Sequence, residues 1–523
     1  MSFELRRHCI ADLLRRTAAR YPQRTAIICG DVRWSYAHFA LLCDRLAAGL
    51  AGMKLAKGDC VAIFARNSHA FAAMRFALAR LGAILVPINF MLKSEEVAYI
   101  LRHAGVRLMA TDSALAEISR SACQAAGVDK LLWMPSEQPT HVECDMFNFE
   151  TLVQSTLELR ESDLGSNDIA QIVYTSGTES MPKGVVLTHQ SIMQQYVSCI
   201  VDGEMSAEDR VLHSLPLYHC AQLDCFLGPC VYLGSTNVIT SKPLADNLLR
   251  LIQEHRITSF FAPPTVWISL LRSPSFPVSD LSSLRKGYYG ASIMPVEILL
   301  EVSRRLPAVR LWNFYGQTEI APLATVLKPE DQLRKPGSAG RPALNVETRV
   351  VDDLLQDVKA GEIGEIVHRS PQLMQGYLND DLRTAQAFEG DWFHSGDLAV
   401  VDDEGYITVV DRKKDMIKTG GENVASREIE EIIYALPQVS EVAVIGVPHP
   451  YWIEAVVAVV VTRDRQTLSE AQVIAHCASR VANFKVPKWV IFLESLPKNP
   501  SGKLLKRDLR RQFEGRFRDA SSH

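Results

Sequence analysis

The sequence has no strong excess of either charge. Over 523 residues the formal net charge is -4, so it lacks the basic surface a nucleic-acid partner would require. Long apolar runs are also missing. The run AVVAVVV at 455–461 has the length of a strand, and the apolar stretch 71–90 is broken by Arg75 and Arg80 and carries Gly82 and Pro87. That stretch therefore predicts a helix followed by a strand, not a membrane span, and leaves only peripheral membrane contact open. The eleven cysteines include no C-x-x-C pair and no signal peptide is legible, which suits a reducing cytoplasm better than a disulfide framework. Cys220, Cys225 and Cys230 recur every five residues; no zinc motif has that spacing, and buried core thiols are expected. There is no G-x-x-x-x-G-K-[ST] loop, no G-x-S-x-G elbow and no evident Cys-His pair, so neither a Walker-type NTPase nor a covalent nucleophile is indicated.

What is present begins with YTSGTESMPKG at 174–184. An apolar, strand-like segment, IAQIVYT, leads into it, and THQSIMQQYV at 188–197 can form a helix beyond it. Thr175, Ser176 and Thr178 offer hydroxyls, Gly177 admits an anion close to the backbone, and Lys183 brings a mobile positive charge. Such a loop can hold a triphosphate, although a Ser/Thr/Gly cluster alone equally suits a surface turn. In NFYGQTE at 313–319, Tyr315 can stack on adenine, Thr318 can donate to phosphate, and Glu319 can hold Mg2+ against a triphosphate. In WFHSGDL at 392–398, Asp397 is expected in a tight turn after Gly396, free to accept both ribose hydroxyls. The charged stretch from Asp411 to Asp415 reads as a solvated linker. Phe260, Phe261, Pro264 and Trp267 form an apolar set suited to an acyl tunnel, with core packing as the alternative.

The chain is long enough for two or more domains. The first 165 residues alternate helical and strand patterns: a helix over 9–21 stopped by Pro22, a second capped by Ser35, the strand VAIFA at 61–65, a helix over 68–81 ended by Gly82, and the strand AILVPI at 83–88. Mostly parallel sheets covered by helices are expected. The last hundred or so residues predict a small α+β unit, with a helical stripe at Ile429, Ile432, Ile433 and Leu436, strands at 440–448 and 455–461, and a helix over 472–481.

Taken in order, these motifs resemble the signature of the adenylate-forming superfamily, which contains acyl-CoA synthetases, coumarate-CoA ligases, firefly luciferase and peptide-synthetase adenylation domains. The usual loop there is YTSGTTGxPKG; this chain has Glu179-Ser180 where Thr-Gly is commonest. The resemblance implies an α/β fold: a large N-terminal domain of helix-covered mixed sheets over 1–410, and a small mobile α+β lid over 411–523 hinged at Asp411. It also implies ATP, Mg2+ and CoA as cofactors and co-substrates, and a carboxylic acid, first a fatty acid, as substrate. An aryl acid, or transfer to a carrier-protein phosphopantetheine, is the alternative, and the oligomer is a monomer or homodimer.

For individual residues, the resemblance places the phosphates at Thr175 to Thr178, Lys183 and Thr318, Mg2+ at Glu319, adenine at Gly290, Ala291 and Tyr315, ribose at Asp397, ribose or phosphate at Arg412, and ATP or AMP also at Gly316. His219, in LPLYHCAQLD at 215–224, lies where acyl-CoA synthetases keep a histidine against the carboxylate, whereas amino-acid-activating relatives carry an aspartate. Tyr289, where glycine is common, would narrow an acyl pocket lined by His219, Trp267 and Gly290. Lys503, on the Pro-Ser-Gly turn near the end, would neutralise charge on the attacking carboxylate and the α-phosphate. Gly420 and Gly421 would let pantetheine pass, with Lys413, Lys414, Trp452 and Lys485 as further CoA candidates.

Overall fold

The structure is a computed structural model that describes residues 8–138, 142–143, 145–158, 163–175, 182–290, 294–413, 415–419, 422–463, 467–498, 504–514 and 516. Four of the predicted early elements form where local signals place them. Ser35 and Ser68 cap the helices Tyr36–Gly52 and His69–Leu81 by accepting from His38 N and Phe71 N, and Gly82 ends the second at φ +80°. The strands Cys60–Phe64 and Ile84–Pro87 pair in parallel, as expected of a βαβ unit.

Two sheets carry most of the chain. Among the described residues, an eight-stranded sheet runs in space from Gly376–Tyr377 through Lys183–Thr188, Ile169–Thr175, Ile84–Pro87 and Cys60–Phe64 to Val106–Thr111, Leu131–Trp133 and Phe147–Asn148. A nine-stranded sheet runs from Arg341–Pro342 through Leu323–Leu327, Arg310–Gly316, Lys286–Gly290, Ser259–Phe261, Arg210–His213, Thr236–Ile239 and Thr25–Cys29 to Val32–Ser35. Both are parallel in the middle and antiparallel at the ends that carry the functional motifs. One apolar core joins them: Ile27 of the nine-stranded sheet, Val61 and Ile63 of the eight-stranded one, and helix His69–Leu81 belong to a single cluster. That helix is buried nearly all round, so it has no polar face. Its one internal charge, Arg75, meets Asp224 at 3.2 Å, and Gln171 and Tyr196 bond the same carboxylate. Cys220, Cys225 and Cys230 are buried, as their spacing predicted.

A third, antiparallel sheet contains Glu347–Val351, Gly364–Arg369, Trp392–Val401, Phe388–Glu389 and Ile407–Arg412. A fourth contains Glu422–Val424, Ile417–Thr419, Ile453–Thr462, Val439–His449 and Trp489–Phe492. In its central strand Val456, Ala458 and Val460 face one core with Ile429, Ile433 and Val473, while Val457, Val459 and Val461 face another with Leu509 and Phe513. A strand covered on both faces explains the unbroken run AVVAVVV, and each buried valine contributes roughly 1.5–3 kcal/mol.

Two expectations need correction. Asp397 lies inside strand Trp392–Val401, not on a turn; Gly396, at φ +72°, bends that strand just before it. Asp411 is not in a solvated linker: it is 8% exposed, is the penultimate residue of strand Ile407–Arg412, and both its carboxylate oxygens accept hydrogen bonds. The sequence showed a cluster of charges, but the Ser426 N–H and hydroxyl that engage this carboxylate lie fifteen positions further along the chain.

Candidate active site

The strands Ile169–Thr175 and Lys183–Thr188 form an antiparallel pair in which Thr175 stands opposite Lys183. The second and tenth residues of the motif are thereby set side by side in backbone register, while Ser176, Gly177 and Thr178, with Glu179 and Ser180, lie outside the described residues. Both flanks of the loop are tied to helix Ser94–His103: Tyr174 Oη lies 2.7 Å from His103 Nδ1, and Tyr99 Oη donates to Pro182 O at 3.5 Å.

Glu319 comes from the other large sheet. Strand Arg310–Gly316 ends at Gly316, where a Cβ would stand 1.9 Å from Pro322 O, so only glycine permits the chain to double back. The short turn Thr318–Ile320 follows and presents Glu319. Tyr377 Oη donates to Glu319 Oε1 at 3.0 Å, and Lys183 Nζ sits 4.9 Å from the Tyr377 ring centroid. Burial, with the Glu319 carboxylate second, pushes the Tyr377 phenol well above its ordinary pKa, so it stays a neutral donor. Among the described residues no cluster of three metal-ligating side chains exists. The Glu319 carboxylate nevertheless has the chemistry to hold Mg2+, which takes one or two carboxylates and completes its shell with phosphate and water oxygens.

Thr318 joins this corner to the His219 loop. Its Oγ1 lies 3.5 Å from Cys220 Sγ. His219 caps the following helical turn, its Nδ1 accepting from Ala221 N at 3.1 Å, which leaves the ring proton on Nε2. Asn67 holds the loop from behind by accepting from Leu217 N and donating to Leu215 O, and Gln222 bridges Leu215 N and His213. None of these supports was legible in the sequence, because their partners lie up to 150 positions away.

The residues expected to hold the nucleoside also converge. Asp397 and Arg412 are cross-strand partners, with Arg412 Nε 3.2 Å from Asp397 Oδ1, and Tyr315 Oη donates to Asp397 Oδ2 at 2.7 Å. Burial and the adjacent Asp397 carboxylate hold the Tyr315 phenol neutral. Gly290 is required by close packing of strands, since a Cβ there would meet Phe314 O at 2.4 Å; Ala291 lies outside the described residues.

The acyl candidates are packed tightly. Trp267 and Tyr289 are each 1% exposed; Trp267 Nε1 donates to Tyr288 O, Tyr289 Oη donates to Gln332 Oε1, and Phe260 meets Trp267 edge-on. Of the CoA candidates, Lys485 is paired with Glu428 and Lys413 with Glu365, while Trp452 stacks on His449 at 4.4 Å and neighbours Ile453, which pairs with Thr419. Gly420 and Gly421 are the next two residues of the sequence. Those two glycines, Lys414 and Lys503 lie outside the described residues.

With this geometry in hand, the comparisons are specific. The AMP-binding enzyme family matches residues 14–378, and the AMP-binding enzyme C-terminal domain matches 428–503. The chain belongs to the AMP-binding enzyme family. Within that family it falls in the acyl-CoA ligase branch of the adenylate-forming superfamily. It is 36% identical to an indoleacetate-CoA ligase of Aromatoleum aromaticum, covering 96% of this chain and 97% of that one. To the long-chain-fatty-acid-CoA ligase FadD13 of Mycobacterium tuberculosis it is 35% identical, covering 96% and 98%. The crystal structure of the anthranilate CoA ligase AuaEII with anthranoyl-AMP superposes with a TM-score of 0.89 at 26% identity, covering 97% of both chains. No described helix is long and apolar enough to cross a membrane.

Proposed function

We propose that this AMP-binding enzyme joins a carboxylic acid, first a fatty acid, to CoA in two half-reactions. In the first, a carboxylate oxygen attacks the α-phosphorus of ATP, the bond to the β-phosphate breaks, and pyrophosphate leaves. In the second, the CoA thiolate attacks the acyl carbon and AMP leaves with the bridging oxygen. Bringing two anions together requires positive charge whose value grows at the transition state. Lys183 and Lys503 would supply it from the protein, Thr318 would donate to phosphate, and Mg2+ held at Glu319 would supply it against the triphosphate. Tyr315, Asp397 and Arg412 would orient the nucleoside, and Gly290 and Ala291 would border the adenine. His219, with its proton on Nε2, would face the carboxylate.

In this reading, residues 1–410 are the body, 411–523 the lid, and Asp411 the hinge. Rotation would withdraw Lys503 and bring Gly420-Gly421, Lys413, Lys414, Trp452 and Lys485 to the thiol. A reducing cytoplasm is the proposed setting, supported by ten free, buried thiols among the described residues. The observation that carries the proposal is that Lys183 and Glu319, from two different sheets, both meet Tyr377, while Thr318, the neighbour of Glu319, touches Cys220, the residue after His219.

A second reading, an aryl acid, is favoured by the closed packing of Trp267 and Tyr289, and by relatives named for indoleacetate and anthranilate. A panel from acetate through long-chain to aromatic acids, scored by pyrophosphate exchange and by CoA-dependent AMP release, separates these readings. Failure to exchange pyrophosphate with any acid of the panel would refute ligase activity, and exchange without CoA-dependent AMP release would shift the acceptor to a carrier protein.

A further inference from the structure

Lys183 and Glu319 have opposite charges and meet one corner, yet among the described residues they do not form an ion pair; each meets Tyr377 instead. A direct pair would neutralise the ammonium meant for phosphate and occupy the carboxylate meant for a cation. Tyr377 stands on the edge strand Gly376–Tyr377, opposite Val185 of the strand that begins with Lys183. The segment around it is bonded on both sides. Gln375 N and Leu378 N donate to Val186 O and Gly184 O, while Met374 N donates to the backbone O of Glu319 at 2.8 Å. Tyr377 N is itself held by Thr384 Oγ1 at 2.9 Å. The phenol is thus fixed to the eight-stranded sheet and reaches a carboxylate carried by the nine-stranded one.

We propose that Tyr377 is a positioning residue: its hydroxyl sets the Glu319 carboxylate toward a divalent cation, and its ring seats Lys183, so that the two charges stay separate. An outer-shell partner of this kind fixes ligand orientation, and its loss typically weakens metal binding about tenfold or more. A cation over a ring face is held without surrendering its charge to an anion. The inference rests on the reading of Glu319 as the metal-facing carboxylate.

The test is ATP binding by calorimetry with and without Mn2+, with bound Mn2+ counted by its EPR signal. Tyr377→Phe keeps the ring under Lys183 and removes only the O–H; ATP binding with Mn2+ should weaken about tenfold, and metal-free ATP binding should change less than about twofold. Glu319→Gln combined with Tyr377→Phe should bind Mn2+ and ATP no worse than Glu319→Gln alone. Tyr377→Leu, which also removes the ring, should weaken metal-free ATP binding as well. Unchanged Mn2+-dependent binding in Tyr377→Phe, equal losses with and without Mn2+, or additive losses with Glu319→Gln would overturn the inference while leaving the ligase reading intact. A wild-type protein whose ATP binding ignores Mn2+ would overturn the Glu319 assignment and this inference with it.

Discussion

Replacing Asp411 with alanine should loosen the first turn of helix Ser426–Tyr434 while leaving both large sheets unchanged. Asp411 Oδ2 accepts from Ser426 N at 2.8 Å and Ser426 Oγ at 2.6 Å, and Oδ1 accepts from Arg412 N at 2.8 Å. The residue at the N-cap, Ala425, has no side-chain acceptor, so a carboxylate fifteen positions upstream caps the helix instead. Ser426 is fully buried, and water cannot readily take over the abandoned N–H. Loss of a cap costs about 1 kcal/mol, and leaving a buried donor unpaired raises the total to about 2 kcal/mol. Lys506, which bonds Ser426 Oγ and pairs with Glu430 at 2.7 Å, would retain part of the anchor. Amide exchange at Ser426 and the next two residues should therefore accelerate about thirtyfold, the equivalent of that 2 kcal/mol, in the alanine variant. Asp411→Asn should fall between, because it keeps an acceptor without the charge that favours a helix N-terminus. Unchanged exchange in Asp411→Ala would refute the argument, and exchange accelerated equally in helix His69–Leu81 would show global destabilisation instead.

Gly316→Ala would force a methyl to within 1.9 Å of Pro322 O and 2.8 Å of Ala324 N; we expect more than about 3 kcal/mol of strain, seen as loss of pyrophosphate exchange or of soluble protein. Lys503→Ala should depress adenylation about a hundredfold or more while sparing thioester formation from supplied acyl-AMP, and Gly421→Leu should do the reverse; equal losses in both half-reactions would exclude the lid rotation. His69, His189 and His213 are buried and desolvation holds each pKa down to about 4, from an ordinary 6.5. The unfolded chain binds more protons between those values, so stability should fall as pH drops from 6.5 toward 4, by up to about 1.4 kcal/mol per pH unit for each histidine. Urea midpoints measured across that range, with a shallower slope in His213→Gln, would check it.

The parts of the fold that follow from neighbours in sequence were legible. Ser68 and Gly82 mark both ends of one buried helix, and the order of motifs led to the family. The candidate site was legible as residue types: the structure brings Thr175 opposite Lys183, Tyr315 and Arg412 onto Asp397, and Lys183 and Glu319 onto Tyr377. The supporting shell was not. Tyr377 sits in a two-residue edge strand too short to have a period, and Asn67 bonds backbone 150 positions away.

By itself the sequence determined which residues are candidates for the chemistry, where several helices and strands begin and end, and which superfamily signature the chain resembles, because caps, periodicity and motif spacing act over a few residues. Only the tertiary structure decided that Asp411 is a buried cap, that Arg75 is neutralised by Asp224, and that one tyrosine separates the charges of Lys183 and Glu319. Those outcomes depend on which distant groups packing brings within hydrogen-bonding distance, and on where it excludes water, neither of which a local pattern encodes.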